Sequence, residues 1–322
     1  MPETLEQTVA VTPEFAGNRL DQCLAAMFPE FSRARLQRWV RQGHILVDGR
    51  QVKPGFKLTG AESIHLSVAL DAVDPDQAPP ADPIQLDIVH QDESVLVINK
   101  PAGLVVHPAA GHARGTLQNA LVFLDEKLAA VPRCGIVHRL DKLTSGIMVV
   151  ARTLSAHASL VEQLQQRSMS RQYLALVYGA LVSGGSVDEP IGRHPRDRKK
   201  MAVHELGKPA VTHYRINRRF RDFTLLDVHL ETGRTHQIRV HMNHVHHPLV
   251  GDPVYGVRLR LPAGAGETLQ TALRGFGRQA LHAARLAFHH PAMGEPVEYR
   301  AAVPEDMGQL IQALDQEPSQ RP

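Results

Sequence analysis

Residues 70–83 hold Asp71, Asp74, Asp76 and Asp82 together with Pro75, Pro79, Pro80 and Pro83. Proline removes backbone donors and fixes φ, so the stretch resists helix and strand alike and reads as a linker. It divides the 322-residue chain, which is longer than one typical domain. The division predicts a lead-in over residues 1–17, a small domain over 18–69, a large domain over 84–305 and a tail over 306–322.

In the small domain Leu20, Leu24, Met27 and Phe28 recur at spacings of three and four, predicting a helix ended by Pro29. Ser32 reads as the N-cap of a second helix over 33–42 that Gly43 terminates, with Leu36, Trp39 and Val40 facing inward. Arg35, Arg38 and Arg41 return every third residue on another side, and Arg33 opens the helix. Rows of this kind are usually a solvated face; they also suit phosphate contacts, which give affinity without sequence information. Asp48-Gly49, within Ile45-Leu46-Val47-Asp48-Gly49-Arg50-Gln51-Val52, predicts a hairpin turn between two short segments, and 63–68 predicts a further strand. Residues 1–16 lack a strong period and read as an extended or frayed lead-in.

The large domain opens with apolar runs over 86–90 and 94–101 that predict two buried strands around a polar turn. Residues 116–124 predict a short capped helix and 155–167 a longer one with Leu160, Val161 and Leu164 inward. Further strands are predicted at 173–177, 211–216 and 224–231. Many strands and few helices make this a mixed α+β domain, mainly antiparallel.

With 43% hydrophobic and 21% charged residues the chain has the composition of an ordinary globular protein. Its 36 Lys+Arg against 33 Asp+Glu leave a net charge of only +3, so local clustering must carry any argument for nucleic acid. The densest basic stretch, Arg193-His194-Pro195-Arg196-Asp197-Arg198-Lys199-Lys200, is a loop that binds an RNA backbone or stays solvated. Cys23 and Cys134 lie far apart and point to neither a disulfide framework nor a metal cluster. Glu3, Glu6 and Glu14 do not fit a secretory signal, and no apolar run approaches the roughly 18 residues of a membrane span. A soluble cytoplasmic protein is expected.

Residues 135–151 concentrate the chemistry: a polar loop with one carboxylate, Asp141, closed by Ser145-Gly146 and followed by an apolar strand-like run. Arg139 and Lys142 set two cations beside that carboxylate. Such a group can be a nucleophile facing an electrophile or a sugar, or no more than a surface ion pair in a turn. The whole string is more specific. His138-Arg139-Leu140-Asp141, two further residues, then Thr144-Ser145-Gly146 closely resembles the active-site motif of the RluA-type pseudouridine synthases, which isomerise uridine to pseudouridine in RNA. Asn99-Lys100-Pro101 is similar to that family's first motif. The two N-terminal helices, the arginine row and the hairpin resemble the S4 RNA-binding domain. The resemblance runs from Asn18 to about Pro304.

The resemblance implies an S4-like domain followed by a catalytic domain on a mainly antiparallel mixed sheet. It implies that Asp141 is the catalytic acid and that Tyr173, on spacing alone a half-buried strand aromatic, stacks on the target base. In Glu231-Thr232-Gly233-Arg234-Thr235-His236-Gln237-Ile238-Arg239, Gly233 permits a tight turn and Thr235 can cap a helix presenting Arg239. The family's basic residue here pairs with the aspartate, so that role passes to Arg239. Arg139 is implied to fill the space of a flipped base, whose extrusion costs a few kcal/mol. RNA contacts are expected from Arg33, Arg35, Arg38, Arg41, Lys100, Arg193, Arg196, Arg198, Lys199 and Lys200. No cofactor is implied. For metal, His241, His244, His246 and His247 are the residues to weigh; they lack a nearby cysteine and a His-Glu-x-x-His pattern, and no metal is expected. Residues 247–256 are turn-rich and read as walls of the pocket.

Asp141 then attacks the anomeric carbon or removes a sugar proton; the base rotates and rejoins through carbon. The S4-like domain and residues 189–195 most resemble the members that modify the helix 69 loop of 23S ribosomal RNA. The expected partner is that RNA, free or in an assembling large subunit, and the expected state is a monomer. Two rivals are a non-catalytic RNA-binding assembly factor and a glycosidic hydrolase. The latter needs a second positioned acid, which these motifs are not expected to supply.

Overall fold

In a computed structural model the protein is described over residues 4–28, 31, 33–69, 79–108, 114–197, 200–256 and 259–317. Pro29, Ser32, residues 70–78 of the linker, Arg198 and Lys199 lie outside the described residues.

The N-terminal unit comprises β1 (Thr4–Ala10), α1 (Leu20–Met27), α2 (Arg33–Gln42), β2 (Ile45–Val47) and β3 (Ser63–Ala69). Its antiparallel sheet has the order β1-β3-β2. Leu20, Leu24, Phe28, Leu36, Trp39, Val40, Ile64 and Leu66 close one core, as the helical spacings require. Over its described residues the lead-in takes the extended alternative: β1 pairs with β3 from Thr4↔Ala69 to Ala10↔Ser63. One expectation changes. The Asp48-Gly49 turn forms with both residues at positive φ, 48° and 70°, yet β2 pairs with β3 across the sheet and only a single bridge, Val47↔Arg50, follows the turn.

The large unit contains β4 (Asp87–Gln91), β5 (Val95–Lys100), α3 (Leu117–Leu124), β6 (Ser145–Ala151), α4 (Leu154–Gln165), β7 (Ser170–Tyr178) and β8 (Gly185–Asp188). It continues through β9 (Ile191–Arg193), β10 (Met201–Val203), β11 (Val211–Arg219), β12 (Phe223–Leu230) and α5 (Gln237–His244). The chain closes with α6 (Glu267–Gly275), β13 (Leu281–His289), β14 (Pro296–Arg300) and α7 (Glu305–Asp315). Nine strands form one sheet in the order β4-β5-β6-β13-β7-β12-β11-β8, with β14 added to β13. All its pairings are antiparallel except β6 with β13, which bears out the expected mixed α+β fold. β9 and β10 make a separate two-stranded ribbon.

β5 and β6 are buried almost throughout, as continuous apolar runs predict. β4, expected to be buried, is instead a largely exposed edge. Thr116 caps α3 through a reciprocal bond with Asn119. Residues 79–83, assigned to the linker, are already docked: Asn119 Nδ2 donates to Pro80 O at 2.8 Å and Gly115 N–H to Asp82 at 2.8 Å. Residues 306–315, assigned to a tail, lie in α7, whose Met307, Leu310, Ala313 and Leu314 pack with Leu269, Leu273 and Phe276 of the α6 segment. No helix among the described residues is long and apolar enough to cross a membrane.

Candidate active site

The Asp141 loop is fastened at both ends by positions that exclude side chains. Before it, Arg133, Cys134 and Gly135 all have positive φ, and a Cβ on Gly135 would stand 1.8 Å from Ala151 O. After it, Gly146 has φ +118° and lies against β13, where a Cβ would stand 2.2 Å from Ala283 O. Three consecutive left-handed residues, two of them not glycine, are the strain expected where a loop's conformation is imposed by its surroundings.

The loop's underside is held by polar side chains. Lys100 Nζ donates to Pro101 O at 2.7 Å, Leu104 O at 3.0 Å and Lys142 O at 3.2 Å. Gln279 Nε2 donates to Thr144 Oγ1 at 3.0 Å, and Arg278 reaches Leu143 O at 3.3 Å while its other edge grips Asp306 of α7 at 2.6 and 2.8 Å. Lys100 was expected to contact RNA. It is instead 1% exposed, with burial pushing it down to about 7, and its ammonium is committed to two carbonyls of its own segment and one of the Asp141 loop.

Above this support, Asp141 Oδ2 accepts from Arg239 Nη1 at 2.9 Å. The same guanidinium donates through Nε and Nη2 to Asp252, at 2.7 and 2.9 Å. Asp252 also accepts the N–H groups of Val254 and Tyr255. Burial by itself would push Asp252 up, but Arg239 outweighs it and holds this carboxyl below its usual range. For Arg239 burial is likewise outweighed, by Asp252 and Asp141, and its proton is held more tightly than usual. Tyr255 lies under the guanidinium at 5.0 Å and shares a 2.7 Å hydrogen bond with His236 Nδ1, whose Nε2 stands 3.9 Å from Asp141 Oδ1. Burial pushes His236 toward its neutral form.

α5 delivers Arg239 differently from expectation. His236 is the N-cap, in the left-handed region, and Thr235 is not. No side chain caps the helix; Gln237 instead ties down the turn before it, its Oε1 accepting from Arg234 N–H at 2.9 Å and from Thr232 Oγ1 at 2.8 Å. Gly233 has no positive φ; its missing side chain makes room for Arg171, since a Cβ there would stand 2.8 Å from Arg171 Nη1.

Asp141, Arg239, Tyr173 and Arg139 line one cavity of about 550 Å³, within the range of small-molecule sites. Tyr173 is buried, and burial raises its phenol above the usual value. Arg139 is exposed at the rim. Contrary to expectation a second carboxylate, Glu231, lines the cavity, but His213 holds it at 2.7 Å and Arg167 pairs with its other oxygen.

The expected RNA contacts are scattered. Arg33 is tied to the fully buried Asp21 at 2.7 Å. Arg35 lies over Trp39 and Phe31 and reaches Ala130 O at 3.5 Å. Arg38 is half-buried and Arg41 exposed. Arg193 and Arg196 are exposed and Lys200 half-buried around β9 and β10. Of the histidine cluster, His241 is buried with both ring nitrogens engaged, by Thr212 Oγ1 and Glu189 O.

Asp252, His236 and Tyr255 were not singled out by sequence reasoning. They sit inside segments that it marked, 231–241 and 247–256, and their contacts with Arg239 and Asp141 are long-range.

A carboxylate held through one oxygen by a guanidinium, in a cavity shared with a buried tyrosine, has a second oxygen that can attack or deprotonate a sugar. The RNA pseudouridylate synthase family model matches residues 94–244 and the S4 domain model residues 18–64. The chain is 58% identical over 306 residues to ribosomal large subunit pseudouridine synthase D of Xanthomonas campestris, covering 95% of this chain and 92% of that one. It is 51% identical over 317 residues to the protein of that name from Pseudomonas aeruginosa, covering 98% of each. The solved structure of human RNA pseudouridylate synthase domain containing 4 superposes with a TM-score of 0.58 at 27% identity, over 71% of this chain and 93% of that one. With an S4 domain ahead of its catalytic unit, the chain belongs to the RNA pseudouridylate synthase family and is an RNA uridine isomerase.

Proposed function

We propose that the substrate is 23S ribosomal RNA, with the uridines of the helix 69 loop as its targets, and that Asp141 carries the isomerisation. The observation that carries this reading is the Asp141–Arg239 pair at 2.9 Å in a cavity shared with Tyr173. The relatives' name, ribosomal large subunit pseudouridine synthase D, supports the substrate.

The target base leaves the RNA stack and enters the cavity against Tyr173, while Arg139 at the rim takes the space it vacates. Arg239 holds one oxygen of Asp141, so the other faces the sugar. That oxygen attacks the anomeric carbon or takes a sugar proton, and either step breaks the bond to nitrogen with its electron pair leaving on the base. The base turns and its carbon bonds to the anomeric carbon, which releases Asp141 in the first route or takes the proton back onto the sugar in the second; the base carbon then loses its proton and the freed ring nitrogen gains one. His236, kept neutral by burial, adds no second positive charge beside Asp141. Arg35, Arg38, Arg41, Arg193, Arg196 and Lys200 contribute phosphate contacts that offset the cost of flipping. The protein works in the cytoplasm as a monomer without a cofactor; sedimentation of the purified chain tests the oligomeric state.

Pseudouridine mapping of 23S ribosomal RNA from cells lacking the protein tests the reading, with complementation by wild type or Asp141→Ala. Helix 69 uridines should lose the modification and regain it with wild type alone. Loss at other uridines instead would replace the target, and restoration by the Asp141 variant would remove Asp141 from the chemistry.

A further inference from the structure

The same cavity holds a cation that the isomerisation does not use. Arg171 is 7% exposed and lines the cavity wall. Its Nε is buried without a partner, and no carboxylate pairs with its guanidinium among the described residues. The two carboxylates on the lining are engaged elsewhere: Asp141 pairs with Arg239, and Glu231 has its oxygens taken by His213 and Arg167. A buried guanidinium without a counter-charge costs several kcal/mol.

A second idle donor accompanies it. His138 Nε2 accepts from Val149 N–H at 3.2 Å, so the ring proton sits on Nδ1. That atom is buried with no partner among the described residues. Burial, then the charge of Arg171, pushes the imidazole down to about 3, so it stays neutral. Gly233 completes the arrangement: the space any side chain would fill there is where the Arg171 guanidinium lies.

We propose that Arg171, with His138 Nδ1–H, is a subsite for one backbone phosphodiester of the substrate RNA, at the linkage next to the flipped nucleotide. The inference rests on the functional reading above. The unmet demand is for a full negative charge, which a neutral uracil does not carry and a phosphodiester does. Position agrees: Arg171 and Tyr173 are two residues apart on the same face of β7, roughly 7 Å along a strand. A base against Tyr173 therefore leaves the backbone, and not the ring, within reach of Arg171. The cavity, at about 550 Å³, has room beyond a single base.

The test measures equilibrium binding of a helix 69 stem–loop in which single phosphodiesters around the target are replaced, one at a time, by uncharged methylphosphonates. One replacement should weaken binding to the wild-type protein roughly tenfold to a hundredfold, the worth of a charge-assisted hydrogen bond. Arg171→Gln should lose a similar factor on unmodified RNA and become indifferent to that one replacement. Arg171→Lys should recover part of the loss, and Gly233→Ala, which displaces the guanidinium without removing it, should weaken binding in the same direction. If no single replacement matters to the wild-type protein, the subsite is refuted without recourse to any variant. It is refuted too if Arg171→Gln binds like wild type and loses only turnover, since Arg171 would then act on the base. Turnover is scored separately on the same RNA. Binding that depends on one linkage without isomerisation would remove the functional reading and keep the subsite; isomerisation without such dependence would do the reverse.

Discussion

A guanidinium can clasp one carboxylate with a whole edge or divide itself between two, and Arg239 divides. Its Nε–Nη2 edge is spent on Asp252, whose side chain is fully buried, and one Nη1 bond is left for Asp141. Asp252 in turn is anchored by two backbone N–H groups, so the direction of Arg239, and through it of Asp141, is set from behind the cavity. Asp252→Asn keeps the volume and removes the charge, letting the guanidinium swing toward Asp141. Single-turnover isomerisation should fall roughly 10²-fold, the cost of a misplacement of about 1 Å, while affinity for RNA stays unchanged because the Asp252 side chain is fully buried behind the cavity. An affinity loss as large as the rate loss would place Asp252 in binding and not in orientation.

Among the elements, those whose side chains pack locally could be read directly. α2 spans Arg33–Gln42 as its amphipathic spacing requires, and β6 is buried at every position as its apolar run requires. Elements defined by distant partners could not. β1 is mostly polar and is held by hydrogen bonds to β3, some sixty residues on. The α5 N-terminus was misplaced because the helix starts from the left-handed His236 with no side-chain cap, and the side chain of Gln237 fixes the turn before it. The spacing Met307, Leu310, Leu314 does carry a helix signal, but nothing local says that a helix so near the chain's end packs on α6 and binds Arg278. The Asp141 loop was legible for the same reason as α2: its residues are contiguous, whereas Asp252 meets Arg239 only after folding. Gly146 gives this contrast a measurable form. A methyl at 2.2 Å from Ala283 O, at φ +118°, must part β6 from β13, the sheet's parallel pairing and the seat of the loop. Gly146→Ala should cost at least about 2 kcal/mol of stability and abolish activity. Gly103→Ala, with positive φ but open space around it, should cost only the roughly 1–2 kcal/mol of the backbone conformation. Equal melting temperatures for the two variants would contradict this account.

At the scale of the whole molecule, the two units can be followed separately because the chain's single tryptophan, Trp39, lies in the N-terminal core. That unit is stabilised by two carboxylates that accept unusually many hydrogen bonds. Asp21 accepts from Arg19, Arg33 and Gln37, at 3.0, 2.7 and 2.6 Å; the Arg19 bond is the strongest cause holding its carboxyl well below the normal range. Glu62 accepts from the N–H groups of Thr59, Gly60 and Ala61 and from the Thr59 hydroxyl. Burial would raise it, but these donors prevail and lower it from 4.5 to about 2. Both folded values lie below the unfolded ones. The unfolded chain therefore binds more protons in acid, so the stability these groups contribute is present above their unfolded pKa and is lost as pH falls. For Glu62 the window runs from 4.5 to about 2, and Asp21 extends it lower. Trp39 emission should consequently report a loss of stability to urea that steepens below pH 4.5. Glu62→Gln should be less stable near neutrality, because an amide NH₂ meets backbone donors where a carboxylate oxygen accepted, and its stability should depend less on pH through that window. An unchanged slope in the variant would mean that other carboxylates carry the acid sensitivity. Arg33 enters the same measurement. Because it is spent on Asp21, Arg33→Gln should shift this transition while leaving the salt dependence of RNA binding as in wild type, whereas Arg41→Gln, exposed on α2, should reduce the salt slope by about one unit and leave the transition in place.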